Sequence, residues 1–312
     1  MLYIVLYHYT QRYTELFSAP SFAYSFSNGG EVGVAIFFII SGYLTMLSSS
    51  KIDSEGWSNW LKRKYLRLYP QYIIAVILCF SIVGYFGLSN REFTLIDLGR
   101  DAFMLPLISA RVDHAHWYVT ALVGFYIFFL ILYKLKLHKN IWTYITILLI
   151  NAISYVASLM LDGKLPEILS LMTTFFINAK PFLGGAILVL YKERKKGFLY
   201  VVLAYSIYLN FLNYKILPFE IIFLIMIFEQ SFGLYSFLNK ILATNILLIV
   251  GKYSFMWYLV HQNIGYVVMN QMCKYPINYQ FIPYITAFIT FIMAVLCMEI
   301  LDIRKKNKKN NI

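Results

Sequence analysis

The amino-acid sequence predicts an all-α integral membrane protein, a polytopic bundle of about ten transmembrane helices. Apolar residues make up 60% of the 312-residue chain and charged residues only 13%, whereas soluble domains carry roughly a quarter charged residues. The mean hydropathy is +0.65. Aromatic residues reach 19%, and many tyrosines fall near the ends of apolar runs, where aromatic side chains anchor helices at the membrane surface. These three observations exclude an ordinary soluble domain.

About ten apolar runs approach the roughly 20 residues that a helix needs to cross a bilayer. They cover residues 1–17, 32–48, 68–88, 116–133, 141–161, 168–191, 198–212, 217–237, 253–271 and 281–301. An even number of crossings places both termini on one side, and the loops on that side contain most of the 27 Lys and Arg residues. Because positively charged loops stay in the cytoplasm, both termini are predicted to be cytoplasmic. The net charge of +12 is then a property of these loops, and no nucleic-acid partner is predicted.

The chain is predicted to form one transmembrane domain at residues 1–303, followed by a basic, disordered cytoplasmic tail at residues 304–312. The longest external loop, residues 89–115, has apolar residues at helical spacing, which predicts a short helix on the outer membrane surface. The first apolar run is too short to cross a bilayer, because only seven residues precede His8 and polar residues follow it. Either this helix enters obliquely and is buried by protein, or the natural start lies upstream of Met1; the second is the prediction.

His8 is the first candidate for chemistry, because an ionisable side chain at membrane depth is unfavourable unless it has a function or a partner. Imidazole transfers protons well near neutral pH. Two interpretations stay open, a proton-transferring residue and a structural histidine bonded to a neighbouring helix. Arg12 and Glu15 follow on the same helical face. They either tune the charge of the imidazole or form an ordinary polar turn, and the second is favoured.

A basic cluster lies between the second and third apolar runs. It consists of Lys62, Arg63, Lys64 and Arg67. Cytoplasmic loops of membrane proteins commonly look like this. The cluster directly precedes Leu68 and Pro70, which are predicted to occupy the first turn of the third helix, and this indicates a cationic hinge that binds phosphates. Ser41 and Gly42 in the second run form a small-residue notch, where a neighbouring helix or an acyl chain can approach closely.

Two further groups lie near the predicted outer side. His116 and Trp117 begin the fourth run, where they either belong to the interfacial aromatic belt or contact a sugar ring. His261 is a second histidine within an apolar run. No third ligand accompanies His114 and His116, and the three cysteines are scattered, so neither a metal site nor a disulfide is predicted.

Six motifs together resemble the acyltransferase-3 family, multi-span membrane enzymes that O-acylate bacterial cell-surface carbohydrates. They are LYHY at residues 6–9, GVAIFFIISGY at 33–43, KYLRLYP at 64–70, HWYVTAL at 116–122, FLGG at 182–185 and YSFMWYLVH at 253–261. They occur in the family's order and span nearly the whole chain.

The resemblance implies an acyl-CoA donor, a ten-span core, a catalytic histidine at His8, and a donor site lined by Lys64 and Arg67. Lys64 stands where members usually have Arg, which keeps the charge but loses the bidentate geometry. Members also usually carry an Arg about ten residues before the catalytic histidine, a position that precedes Met1. The segment 117–126 lacks a Glu found in some members, which indicates the branch that acts on exopolysaccharide or lipid-linked sugars.

The resulting hypothesis is a multi-pass enzyme of the bacterial inner membrane that moves an acyl group, most simply acetyl, from cytoplasmic acyl-CoA to a saccharide hydroxyl. His8 is the predicted catalytic residue. Donor binding is assigned to Lys62, Arg63, Lys64, Arg67, Ser41 and Gly42, and acceptor binding to His116, Trp117 and His261. No bound cofactor is expected, since acetyl-CoA is a substrate. The alternatives are a non-catalytic transporter of lipid-linked saccharides, which often has internal repeats that this sequence lacks, and an inactive truncated relative.

Overall fold

The computed structural model describes residues 1–26, 29–104, 112–160, 179–190 and 244–310. In chain order it contains α1 (Leu2–Tyr7), a π-helical turn (His8–Arg12), α2 (Tyr13–Phe17), α3 (Gly29–Leu47), α4 (Ser50–Glu55), α5 (Trp57–Phe86), α6 (Leu95–Ala102), a 3₁₀ turn (His114–His116), α7 (Trp117–Lys134), α8 (Ile141–Met160), α9 (Ala179–Leu190), α10 (Asn245–Val260), α11 (Gln262–Met272), a second 3₁₀ turn (Tyr279–Phe281) and α12 (Ile282–Asn310). No strand occurs in these ranges, so the all-α prediction is confirmed for them.

Among the residues that the structure describes, three stretches are long and apolar enough to cross a membrane, namely Trp57–Phe86, His114–Lys134 and Tyr279–Ile303. Shorter apolar stretches lie in α3, α8, α9 and α10. Helices lie within a few residues of the runs predicted at 1–17, 32–48, 116–133 and 141–161, and α6 is the helix predicted in the external loop. The runs at 198–212 and 217–237, and most of 168–191, lie outside the described residues.

The predicted start of the third helix at Leu68, with Pro70 in its first turn, is wrong. α5 begins at Trp57, directly after Gly56 with its positive φ of 81°, and Pro70 lies inside the helix. Trp60 is fully buried and Leu68 is 7% exposed, and the two lie on one face of the helix because they are eight residues apart. The basic cluster lies between Trp60 and Leu68 and makes these helical turns polar in composition. Burial of the face that carries Trp60 and Leu68 stabilises the turns as helix. The basic cluster therefore lies on a helix and not in a hinge.

The predicted run at 253–271 is two helices that meet at His261. In an unbroken α-helix the N–H of Asn263 would donate to the carbonyl of Leu259. Here the Leu259 carbonyl accepts from His116 Nε2 at 2.9 Å, and the Asn263 N–H donates to Asp113 Oδ2 at 3.0 Å. Two side chains from the segment before α7 thus replace one backbone hydrogen bond, which interrupts the helix at His261.

Residues 304–310 belong to α12, so the prediction of a disordered tail is wrong for them. Extending an existing helix adds one backbone hydrogen bond per residue, without the unfavourable nucleation that an isolated helix requires. Lysine is also a good helix former. The apolar part of α12 therefore supports helix in the lysine-rich sequence that follows.

The chain forms two compact units. The first unit consists of Met1–Gly33, Tyr65–Thr120 and Lys240–Ile312, and the second of Val34–Lys64 and Ala121–Asn239. In the first unit α10 packs along α12, where Trp257 Nε1 donates to Thr290 Oγ1 at 3.0 Å. One face of the N-terminal helix is buried by protein, since Ile4 and Tyr9 are at most 1% exposed, whereas Leu2 on the same helix is 51% exposed. A Cβ atom at Gly265 would overlap the ring of Tyr9, so this glycine allows the N-terminal helix to lie against α11.

In the second unit α3 and α9 approach each other backbone to backbone. A Cβ atom at Gly42 would overlap the carbonyl oxygen of Phe182, and one at Gly185 would overlap the carbonyl oxygen of Ile39. Small residues permit such close helix contacts in membrane proteins, where packing replaces the hydrophobic effect as the driving force. Each of the two helices therefore contributes one glycine, which makes room for the backbone of the other helix.

Candidate active site

His8 is the first residue of the π-helical turn in the N-terminal helix. π-Turns are rare and frequently occur at functional sites. The half-buried imidazole lies with Nδ1 3.0 Å from the hydroxyl of Tyr266 in α11. Its ring also stands edge-on to the ring of His261, with 4.9 Å between the centroids. The first unit thus brings together a candidate base, a hydroxyl that orients it and a second imidazole.

Arg12 and Glu15 do not contact the imidazole through a hydrogen bond or ion pair. Arg12 Nη1 lies 2.9 Å from Glu15 Oε2, and both side chains are more than 40% exposed. Gln11 Nε2 donates to the other carboxylate oxygen of Glu15 at 3.0 Å. These contacts support the interpretation of an ordinary polar turn.

His261 is fully buried at the junction of α10 and α11. Its Nδ1 lies 2.6 Å from the carbonyl oxygen of Tyr258. Its own carbonyl accepts from the hydroxyl of Tyr9 at 2.6 Å. The ring and the backbone of this histidine are therefore each held by a short hydrogen bond.

His116 is also fully buried, and its Nε2 donates to the carbonyl of Leu259. Its ring packs on the ring of Tyr72, with 5.2 Å between the centroids. A carbonyl only accepts, so the proton of neutral His116 lies on Nε2 and Nδ1 is an acceptor. Within the described residues this Nδ1 and the hydroxyl of Tyr72 have no hydrogen-bond partner. Two buried polar atoms thus border one region of the first unit.

Asp113 is the residue that connects these segments. Its buried carboxylate accepts from the backbone N–H of Ala115 through Oδ1 at 2.9 Å and from that of Asn263 through Oδ2 at 3.0 Å. The thiol of Cys79 lies 3.7 Å from Oδ2. One carboxylate therefore caps the turn that carries His116 and the helix that follows His261, which compensates for burial of its charge.

Two further predicted residues belong to the first unit. Trp117 is half-buried at the first position of α7, and Arg67 is exposed on α5. No hydrogen bond joins either side chain to His8. Their predicted roles in acceptor and donor binding stay predictions.

The other basic residues lie on the first turns of α5 in the second unit. Lys62 is exposed, and Arg63 is exposed and forms an ion pair with Glu55. Lys64 is half-buried, with Nζ 5.2 Å from the ring centroids of both Trp60 and Tyr126. Cation–π contacts of this kind fix an ammonium group near aromatic faces. The three side chains thus have different surroundings, although all three carry the same charge.

Ser41 is half-buried in α3, and Gly42 is buried against the backbone of α9. The sequence leaves a neighbouring helix and an acyl chain as alternative occupants of this notch, and at Gly42 the neighbouring helix occupies it. A role of Ser41 and Gly42 in donor binding stays a prediction.

Sequence reasoning missed Tyr266, Asp113, Tyr72 and Asn263. Tyr266 is one of 27 tyrosines, and nothing local distinguishes it. Asp113 carried a usable signal, because an Asp immediately before a short helical segment is a common N-cap. The consecutive polar residues Gln262 and Asn263 within an apolar run were a second signal.

The comparisons with known proteins agree with the predicted family. A family model described as an acyltransferase domain matches residues 1–301. Neither the search of curated proteins nor the search of solved structures returned a match. The matched residues include every element of the site just described. Because the match covers almost the whole chain, the protein belongs to the acyltransferase-3 family, and this membership supports an acyltransferase activity in a membrane protein.

Proposed function

We propose that the protein is a multi-pass O-acyltransferase of the bacterial inner membrane, with ten spans and both termini in the cytoplasm. It moves an acyl group, in the simplest case acetyl, from cytoplasmic acyl-CoA to a hydroxyl of a cell-surface or lipid-linked saccharide. The observation that carries the proposal is the half-buried imidazole of His8, held by Tyr266 within a chain of the acyltransferase-3 family. In acyl transfer the catalytic base is commonly oriented by a hydrogen bond to a further side chain.

In the proposed reaction His8 acts as general base. Its Nε2 takes the proton of the acceptor hydroxyl while the hydroxyl oxygen attacks the thioester carbonyl. The carbon–sulfur bond then breaks, and the thiolate of CoA receives the proton. The products are an ester and free CoA. Base catalysis of this kind contributes about 10²–10⁴-fold to the rate.

The hydroxyl of Tyr266 supports this role because it engages Nδ1 of His8. With Nδ1 engaged, the ring orientation is fixed and Nε2 is the nitrogen that remains for a substrate. Most buried polar side-chain atoms in folded proteins have a hydrogen-bond partner. In the described part of the chain only Nδ1 of His8 has such a partner.

The donor is proposed to bind through Lys62, Arg63, Lys64 and Arg67 on α5 and through Ser41 and Gly42 on α3. Cationic side chains bind phosphate groups through charge-assisted hydrogen bonds. The exposure of Lys62, Arg63 and Arg67 supports this assignment. The ion pair of Arg63 with Glu55 is exposed, and such pairs are worth only about 0–1 kcal/mol, so a phosphate can displace the carboxylate. His116, Trp117 and His261 are proposed to line the acceptor side.

The test compares O-acetyl groups on the surface glycans of the host with the gene intact, deleted and carrying His8→Ala. Deletion and His8→Ala should both remove the acetyl groups that depend on the gene. The membrane content of the variant protein should equal that of wild type. Unchanged acetylation in the His8→Ala strain would exclude His8 as the base, and unchanged acetylation after deletion would exclude the function.

A further inference from the structure

His261 uses only one of its two ring nitrogens. Nδ1 lies 2.6 Å from the carbonyl oxygen of Tyr258, and because a carbonyl only accepts, Nδ1 carries the proton of the neutral ring. Nε2 then holds a lone pair. This atom is buried, and within the described residues nothing hydrogen-bonds to it. His261 therefore presents a fixed, buried acceptor, which is uncommon for a polar atom in a folded protein.

The ring of His261 stands beside that of His8. The centroids are 4.9 Å apart and the ring planes meet at 69°. In both rings Nδ1 is the engaged nitrogen, through Tyr266 for His8 and through Tyr258 for His261. Each imidazole therefore has only Nε2 left for a further partner.

The position of His261 is held from both sides. The hydroxyl of Tyr9 donates to its carbonyl, and Asp113 holds the N–H of Asn263 two residues later. Tyr9 is itself fully buried against Gly265. Such support fixes a side chain to within the small tolerance that proton transfer requires.

We propose that His261 is the proton-relay partner of His8, an inference that rests on the proposed acyl transfer. When His8 takes the hydroxyl proton it becomes an imidazolium, which is unfavourable at membrane depth without a partner. The lone pair on Nε2 of His261 takes that proton from Nε2 of His8, and the carboxylate of Asp113, which holds the backbone beside His261, compensates for the positive charge. After the carbon–sulfur bond breaks, the proton returns through His8 to the thiolate of CoA. Both histidines are then neutral again, and no further reactant is needed.

The test separates the two nitrogens of His261. The amide nitrogen of Asn occupies a position similar to Nδ1, so His261→Asn keeps the hydrogen bond to Tyr258 and removes Nε2. His261→Gln places an amide near the position of Nε2, but this group is not basic. Both variants are measured as the full chain in inverted membrane vesicles, with radiolabelled acetyl-CoA as donor and the glycans of the host membrane as acceptor.

Both variants should lose at least about tenfold in kcat, since a proton-transfer step typically contributes 10²–10⁴-fold, while KM for acetyl-CoA stays within about twofold. His138→Asn is the matched control, because His138 is a buried histidine in the second unit whose ring nitrogens also lack partners among the described residues. That control should retain wild-type kcat. Comparable amounts of each variant in the membrane exclude a folding defect. If His261→Asn does not accumulate there, His261→Gln provides the measurement.

Wild-type kcat in His261→Asn would overturn the relay, because the Nδ1 hydrogen bond alone would then suffice. A raised KM with unchanged kcat would also overturn it and would assign His261 to substrate binding only. Vesicles in which the wild-type chain transfers no more label than His8→Ala would overturn the acyltransferase function itself, and the relay with it.

Discussion

The hydroxyl of Tyr266 lies 3.0 Å from Nδ1 of His8, while the ring of Tyr266 packs on Tyr13 and Phe17. Tyr266→Phe removes the hydroxyl and keeps the ring. A net hydrogen bond is worth about 0.5–1.5 kcal/mol, so loss of the orienting contact should lower kcat by about two- to tenfold. The rate of labelled acetyl transfer in membrane vesicles measures this change.

Tyr13→Phe is the matched control for that prediction. The hydroxyl of Tyr13 donates to Asn270 Oδ1 at 2.5 Å, and it makes no hydrogen bond to His8. The control loses a hydroxyl from the same ring cluster and should retain wild-type kcat. Equal losses in both variants would mean that the cluster acts only through stability.

At this scale the sequence predicted the identity of some residues but not their partners. His8 stands out because a histidine in an apolar run is unusual. Tyr266 does not stand out, because its hydroxyl contacts His8 only once the fold brings α11 to the N-terminal helix. The basic residues show the same limit, since only the packing of α5 separates the aromatic contacts of Lys64 from the ion pair of Arg63.

Helix α9 contains the clearest test of helix packing. A Cβ atom at Gly185 would overlap the backbone carbonyl of Ile39 and lie 2.9 Å from the backbone nitrogen of Tyr43. Backbone atoms within a helix cannot rotate away as a flexible side chain does. Gly185→Ala should therefore destabilise the protein by about 1–3 kcal/mol or more, measured as a lower unfolding temperature in detergent.

Gly84→Ala is the corresponding control in α5. Beyond its own helix, no atom of the described residues lies within 4 Å of a Cβ atom at this position, so alanine should stabilise the helix by about 0.4–1 kcal/mol. Gly185→Ala should lower the stability and Gly84→Ala should raise it. These opposite changes distinguish the effect of close packing from the general preference of helices for alanine. A wild-type unfolding temperature for Gly185→Ala would show that α3 and α9 do not depend on this contact.

Element boundaries followed the sequence where hydropathy alone sets them, as in α7 and α8. They departed from it at α5 and at His261. In α5 a buried face anchored by Trp60 stabilises turns that are polar in composition. At His261 the side chains of His116 and Asp113 replace a backbone hydrogen bond. Both effects depend on residues distant in sequence, so the helix boundaries at α5 and His261 cannot be predicted from a window of consecutive residues.

The proposed membrane topology is a prediction for the molecule as a whole. Cys273 is exposed and follows α11, whereas Cys79 and Cys297 are buried. The charge distribution predicts that residues 273–278 lie outside, so a membrane-impermeant maleimide should label Cys273 in intact spheroplasts. Cys273→Ser should remove the label, because the two buried thiols are shielded.

A green fluorescent protein fused to residue 312 provides the complementary measurement, since it fluoresces when it folds in the cytoplasm. Fluorescence of this fusion together with external labelling of Cys273 is the expected result. Labelling of Cys273 only after permeabilisation would reverse the orientation of α12 and with it the proposed topology.

Composition and motif order were enough to predict a helical membrane protein and its family, and they singled out His8 as a candidate catalytic residue. Hydropathy and charge bias are properties of consecutive residues, and the membrane responds to them directly. The pairing of His8 with Tyr266 and His261, the buried carboxylate of Asp113 and the contact between Gly42 and Phe182 depend on the fold. These contacts join residues from distant parts of the chain, and their geometry follows from how side-chain shapes pack together.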